Sequence, residues 1–193
     1  MTEDDFSANR TMRRRLLFII LLMFPLLFAG CSQEKTAKLQ IGDKAPSFAL
    51  EDLEGNPIRL SDLKGSPVLM RFFLTDCKYC RADTPVFNDF YDRYQARGLQ
   101  VLYIDSLGMD RNVVQAFVDE LGIRFPVAQD KGGTVSSNYQ VRALPQTIVL
   151  DPRHTIIAAI LGSVSEAELT RLLSPYFSEK SNSERKEDAL QPQ

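Results

Sequence analysis

The stretch from Pro67 to Tyr94 restricts the topology of this chain more than any other. PVLMRFFL, Pro67 to Leu74, is a mostly apolar run of strand length and predicts a central, buried strand. CKYC follows almost at once, and then Phe87, Phe90, Tyr91 and Tyr94 recur at the i, i+3, i+4, i+7 spacing of a helix. A strand therefore feeds a helix through two cysteines, Cys77 and Cys80, and the helix packs one aromatic face until Gly98 ends it.

The rest of the pattern builds around that unit. SFALEDLEGNPIRLSDL, Ser47 to Leu63, has two alternating segments around Glu54-Gly55-Asn56-Pro57 and predicts a hairpin. Leu99 to Ser106 reads as the next strand. Asp110 can cap a helix whose Val114, Phe117, Val118 and Leu121 share a face up to Gly122. A short strand near Phe125 to Ala128 and a short helix near Thr134 to Tyr139 form a mid-chain insertion. TIVLD and TIIAAIL are two further strands joined by Pro152-Arg153-His154, and SEAE, Ser165 to Glu168, is a capping box before Leu169, Leu172, Leu173 and Tyr176. The order predicts an α/β fold, a central mixed sheet flanked by helices with an N-terminal hairpin.

Both ends differ from this middle. A net charge of -2 gives no footprint for nucleic acid. Arg13 to Arg15 precede an uncharged run from Leu16 to Gly30, the order of a secretory signal. At about 1.5 Å per residue that run reaches only about 22 Å, short of a bilayer core, so an uncleaved anchor is the weaker reading. Phe28-Ala29-Gly30-Cys31 resembles a bacterial lipobox, with Phe28 where Leu is usual. The expectation is a signal peptide over 1–30 with translation starting at Met12, lipidation at Cys31, and a tether over 31–38. A domain over 39–177 and a disordered, apolar-poor tail over 178–193 follow. The protein would then be anchored in a bacterial cell envelope, facing the periplasm or the exterior.

With Cys31 removed from the count, Cys77 and Cys80 can bond only to each other or to a partner. Residues at i and i+3 of a helix start lie about 5 to 6 Å apart, within reach of a disulfide. The helix start offers unpaired N–H groups that favour an anion on Cys77, and Lys78 adds a cation. Cys80, one turn inward, is shielded. Cys77 is thus the candidate nucleophile and Cys80 the resolving thiol. CxxC also serves zinc, but a structural site needs four ligands, and the domain has no second CxxC and one histidine, His154. Two inert core thiols have no reason to sit at a strand-to-helix junction.

IGDKAPSFALEDLEGNPIRLSDLKGSPVLMRFFLTDCKYCRADTP, with ALPQT before a later strand, resembles the thioredoxin superfamily. More closely it resembles the TlpA/ResA-like (AhpC/TSA-redoxin type) branch of membrane-tethered thiol-disulfide oxidoreductases, from about Ile41 to Tyr176. The resemblance implies a thioredoxin-like fold and a redox-active Cys77–Cys80 disulfide. It implies a cis peptide at Pro145 facing that disulfide, and backbone hydrogen bonds from Leu144 to an extended substrate. Pro85 matches a helix-kinking proline, and Asp83 an acidic residue that assists proton transfer at the buried thiol. Asp76 stands where relatives carry Trp or another aromatic, and as a carboxylate beside Cys77 it opposes Lys78. Arg71 stands where they often carry Asp or Asn, and is expected to pair with Asp83. Tyr79 fills a position that tunes potential; His154 falls where a turn Gly is common.

The implied work needs no cofactor or metal. It is the reduction, by a monomer, of disulfides in specific partner proteins such as apocytochrome c or a copper-site assembly partner, with electrons from a membrane thiol relay. Two alternatives remain. A peroxiredoxin-like thiol peroxidase normally has its threonine three residues before the cysteine, whereas Thr75 is two before Cys77. An SCO-type copper-binding protein spaces its cysteines by three residues and has its histidine before a late strand, whereas His154 follows one.

Overall fold

The computed structural model describes residues 38–188. The expected signal peptide, Met12, Cys31 and the tether up to residue 37 lie outside the described residues, as do residues 189–193.

The Gly55 turn forms the expected hairpin: β1 (Ala49–Asp52) pairs antiparallel with β2 (Pro57–Arg59), and the Asp52 carboxylate accepts the N–H groups of Glu54 and Asn56. β3 (Val68–Phe73) is buried at every position, as its mostly apolar run predicts. It pairs in parallel with β4 (Gln100–Asp105) and antiparallel with β6 (Gln146–Leu150). β5 (Val127–Gln129) runs parallel to β4 and antiparallel to β1, and β7 (Ile156–Leu161) runs antiparallel to β6. The sheet order is β2-β1-β5-β4-β3-β6-β7. The mid-chain strand is therefore the joint between the hairpin and the central strands.

Alternation along β3 divides the core. Leu69 and Phe73 join the cluster built with α1 (Lys78–Tyr94), α2 (Arg111–Leu121) and α4 (Glu166–Asp188), through Phe87, Phe90, Val114, Phe117, Leu169, Leu173 and Phe177. Val68, Met70 and Phe72 join the opposite cluster with Phe48, Leu60, and Val135 of α3 (Thr134–Asn138). Each such side chain contributes about 1.5–3 kcal/mol by leaving water. Arg71 shares the register of Leu69 and Phe73, so the pleat aims a cation into the helix-covered side of the sheet.

The termini of the helices follow their capping signals. Asp110 accepts the Asn112 N–H at 2.8 Å, and Ser165 Oγ accepts the Glu168 N–H at 3.3 Å. Pro85 lies inside α1. α4 runs on through Asp188, past residue 177 where the domain is expected to give way to the tail. The turns anchored by Leu169, Leu173 and Phe177 supply the nucleus, and a segment rich in Glu, Lys and Arg propagates a helix at little cost once one exists.

Candidate active site

Three strands deliver their chain to one end of the sheet. β3 and β4 finish side by side, with Phe73 opposite Asp105. In β6, Gln146 pairs with Phe72, so the same register carried one residue further sets Pro145 opposite Phe73. Leu74, Thr75 and Asp76 then lead from β3 directly into α1.

Cys77 is the N-cap of α1. Its N–H donates to the Leu74 carbonyl at 3.3 Å, its own carbonyl accepts the Arg81 N–H at 3.1 Å, and its Sγ accepts the Cys80 N–H at 3.2 Å. The sulfur thus occupies the place of a capping oxygen, above donors that the helix cannot satisfy itself. Both cysteines are free thiols; Cys77 is half-buried and Cys80 fully buried. Burial pushes the Cys80 thiol from 9.0 up to about 12, and its hydrogen bond to Cys77 pushes the same way; the Leu74 backbone and the Arg71 charge pull against them. The predicted asymmetry between an accessible and a shielded sulfur is present.

Leu144–Pro145 is a cis peptide. The Pro145 carbonyl accepts the Gly162 N–H at 2.8 Å, which ties this loop to the end of β7.

Arg71, with no exposed surface, gathers the site from below. Its Nη2 donates to Asp83 Oδ2 at 2.7 Å, and its Nη1 donates to Thr147 Oγ1 at 2.7 Å and to the Gly162 carbonyl at 2.9 Å. Its guanidinium lies 5.2 Å from the centre of the Phe87 ring. Asp83 Oδ2 also accepts the Val164 N–H at 3.1 Å. The expected Arg71–Asp83 pair therefore exists and spans β3, α1, β6 and the loop after β7.

The AhpC/TSA family pattern matches residues 41–159, which includes this whole arrangement up to β7. The chain belongs to the AhpC/TSA family. Among similar proteins is the thiol-disulfide oxidoreductase ResA of Bacillus anthracis, 35% identical over 164 residues, 81% of this chain and 94% of that one. ResA of Geobacillus thermodenitrificans is 32% identical, covering 82% of this chain and 92% of its own. In solved structures, a Chlorobium tepidum protein designated thiol:disulfide interchange protein DsbE is similar at 28% identity and a TM-score of 0.66, over 72% of this chain and 99% of that one. A secreted disulfide oxidoreductase of Mycobacterium tuberculosis, 21% identical with a TM-score of 0.60, shares the fold over 66% of this chain and 95% of its own. This AhpC/TSA member is thus a thioredoxin-like enzyme, a thiol-disulfide oxidoreductase of the ResA and DsbE type.

Within the AhpC/TSA frame the remaining predicted residues fall into two groups. Asp76, Lys78 and Tyr79 surround Cys77 at the surface, with the Lys78 ammonium 4.9 Å from the Tyr79 ring centre. Leu144 is half-buried and packs against the Phe48 and Tyr139 side of the core. His154 is not part of the site. It lies beyond the far end of β6, in a turn at φ 58° that explains why glycine suits that position. Among the described residues, no group of three or more His, Cys, Asp or Glu is placed to hold a metal ion. Sequence reading missed Thr147 and the Gly162 and Val164 backbone groups. Thr147 could have been found by register, since it stands opposite Arg71 once β3 and β6 are aligned.

Proposed function

We propose that the protein reduces disulfides in specific partner proteins, with Cys77 as nucleophile and Cys80 as resolving thiol. The observation that carries this is the Cys77 sulfur capping α1 and accepting the Cys80 N–H, while Cys80 stays buried and protonated behind it.

The Cys77 thiolate attacks one sulfur of the partner disulfide; a bond forms from Cys77 to that sulfur, and the other partner sulfur leaves as a thiolate. The anion that helped hold the Cys80 proton is then gone, while the Arg71 field still favours a thiolate at Cys80. Asp83, one helical turn on and held through Oδ2, assists departure of that proton. Cys80 next attacks the Cys77 sulfur and frees the second partner thiol. Two electrons pass to the partner, whose two thiolates take up one proton equivalent from Cys80 and one from solvent, and the Cys77–Cys80 disulfide remains. A dithiol of a membrane relay reduces it in turn. The Leu144–Pro145 edge, beside Phe73, gives an extended partner strand its backbone contacts.

The reading places this chemistry outside the cytoplasm, on a monomer lipid-anchored at Cys31 and sent there by the Arg13 to Gly30 signal. Cytochrome c maturation is the kind of process it serves. Cys80→Ser, expressed in the native cell, tests the mechanism: it should trap Cys77 in partner adducts that disappear on thiol reduction. Adducts should be absent from Cys77→Ser/Cys80→Ser. A Cys80→Ser protein that forms no Cys77-dependent adduct contradicts the reading.

A further inference from the structure

The loop between β4 and α2, residues 106–110, is held from three directions although it presents large apolar side chains to water. Asp105, fully buried, accepts the Leu107 N–H on Oδ1 at 3.2 Å and the Met109 N–H on Oδ2 at 2.5 Å. Buried Gln129 donates to the Met109 carbonyl at 2.5 Å. Gly108, at φ 60°, lies so close to Lys131 that a Cβ would come within 2.5 Å of its Cα. The outcome of this bracing is that Leu107 is left 64% exposed and Met109 36% exposed.

Isolated exposed apolar residues are ordinary, but these are not isolated. Leu107 and Met109 follow β4 at the end where β3 leads on to Cys77: Phe73 and Asp105 are register partners, and the Ser106 N–H donates to the Phe73 carbonyl at 3.4 Å. Tyr79 stands between the two cysteines, and Leu161, opposite Gln146, closes the far side of the same end. Ile41, another exposed apolar side chain, lies elsewhere. It is next to Gly42, whose N–H binds Ile156 at the other end of β7.

We propose that loop 106–110 is a specificity surface that binds apolar residues flanking the disulfide of the protein substrate. This rests on Cys77 being the nucleophile. A mixed disulfide must bring the partner chain on both sides of its cysteine across this end of the sheet, so the loop adjoins an interface the chemistry itself requires. A braced loop meets that chain without first losing conformational freedom, which is how a few apolar anchors give discrimination.

The test uses the reduced full chain and two synthetic peptides of equal charge, each closed by one internal disulfide. Leu and Val flank the cysteines in one, Ser and Gln in the other. The wild type should reduce the apolar-flanked peptide about tenfold faster, equivalent to about 1.4 kcal/mol. Leu107→Ser/Met109→Ser should bring the ratio of rates to near one, and Ile41→Ser should keep it. The ratio does not depend on how much of each preparation is active. Equal wild-type rates, or a double variant that keeps the preference, overturn the docking surface alone. If the wild type reduces neither peptide, the dithiol mechanism fails and the docking surface with it.

Discussion

Arg71 reaches three elements from one position in β3, and the consequences of losing it differ from those of losing a surface charge. Its ion pair with Asp83 is buried on both sides, at 2.7 Å, so removing one partner strands the other in an apolar environment. Arg71→Met should lower unfolding stability by about 3–5 kcal/mol, measured by urea denaturation of the oxidised protein. Arg71→Met/Asp83→Leu should cost less than the two single changes together, because no charge is left unpaired; strict additivity would rule out the coupling. The same cation opposes the protonation of Cys80. Burial outweighs that pull, so Cys80 stays protonated near neutral pH with the cation or without it.

At the scale of elements, the loop after β4 is the most exacting piece of backbone near the site. Gly108→Ala would need a left-handed conformation and would also drive Cβ to 2.5 Å from the Lys131 Cα, a backbone atom that cannot rotate away. The expected loss is about 1–3 kcal/mol in chemical denaturation, well above what an exposed Gly-to-Ala change on a helix would show. An unchanged midpoint would mean the loop does not pack against β5 as described. This loop also shows where the sequence was legible and where it was not. CKYC between an apolar strand and an aromatic-faced helix announced β3 and α1, and SEAE announced the start of α4, because those signals are local spacings. Asp105 gave no such signal. Its function comes from holding Leu107 and Met109 in concert with Gln129, which is twenty residues from Met109 and is brought there by the β4–β5 register. Thr147 was equally silent, although Arg71, its partner across the sheet, stood out as a charge in an apolar run. The extension of α4 to Asp188 was missed for the opposite reason: composition there says polar, whereas helix propagation asks only that a packed turn precede it.

Across the whole molecule, the redox state of the two cysteines and the stability of the fold are linked through one proton. In the reduced protein the Cys80 thiol is raised from 9.0 to about 12, chiefly because its sulfur is buried. Between those values the unfolded chain has released the proton while the folded chain still holds it. The unfolded state then binds fewer protons, so unfolding becomes easier as pH rises. The full contribution of this thiol is present below pH 9.0 and is lost as pH climbs toward about 12. The oxidised protein has no Cys80 thiol and lacks this dependence. Burial also raises the phenols of Tyr103 and Tyr139, but both redox forms contain them, so their effect cancels in the difference. Melting temperatures of the two forms, taken from pH 7 to about 10.5, should therefore separate progressively above about pH 9, the reduced form falling faster. A gap that stays constant would mean that Cys80 is not sequestered in the reduced state. Cys80 would then be as open to partner disulfides as Cys77, and the division of roles between the two sulfurs would not hold.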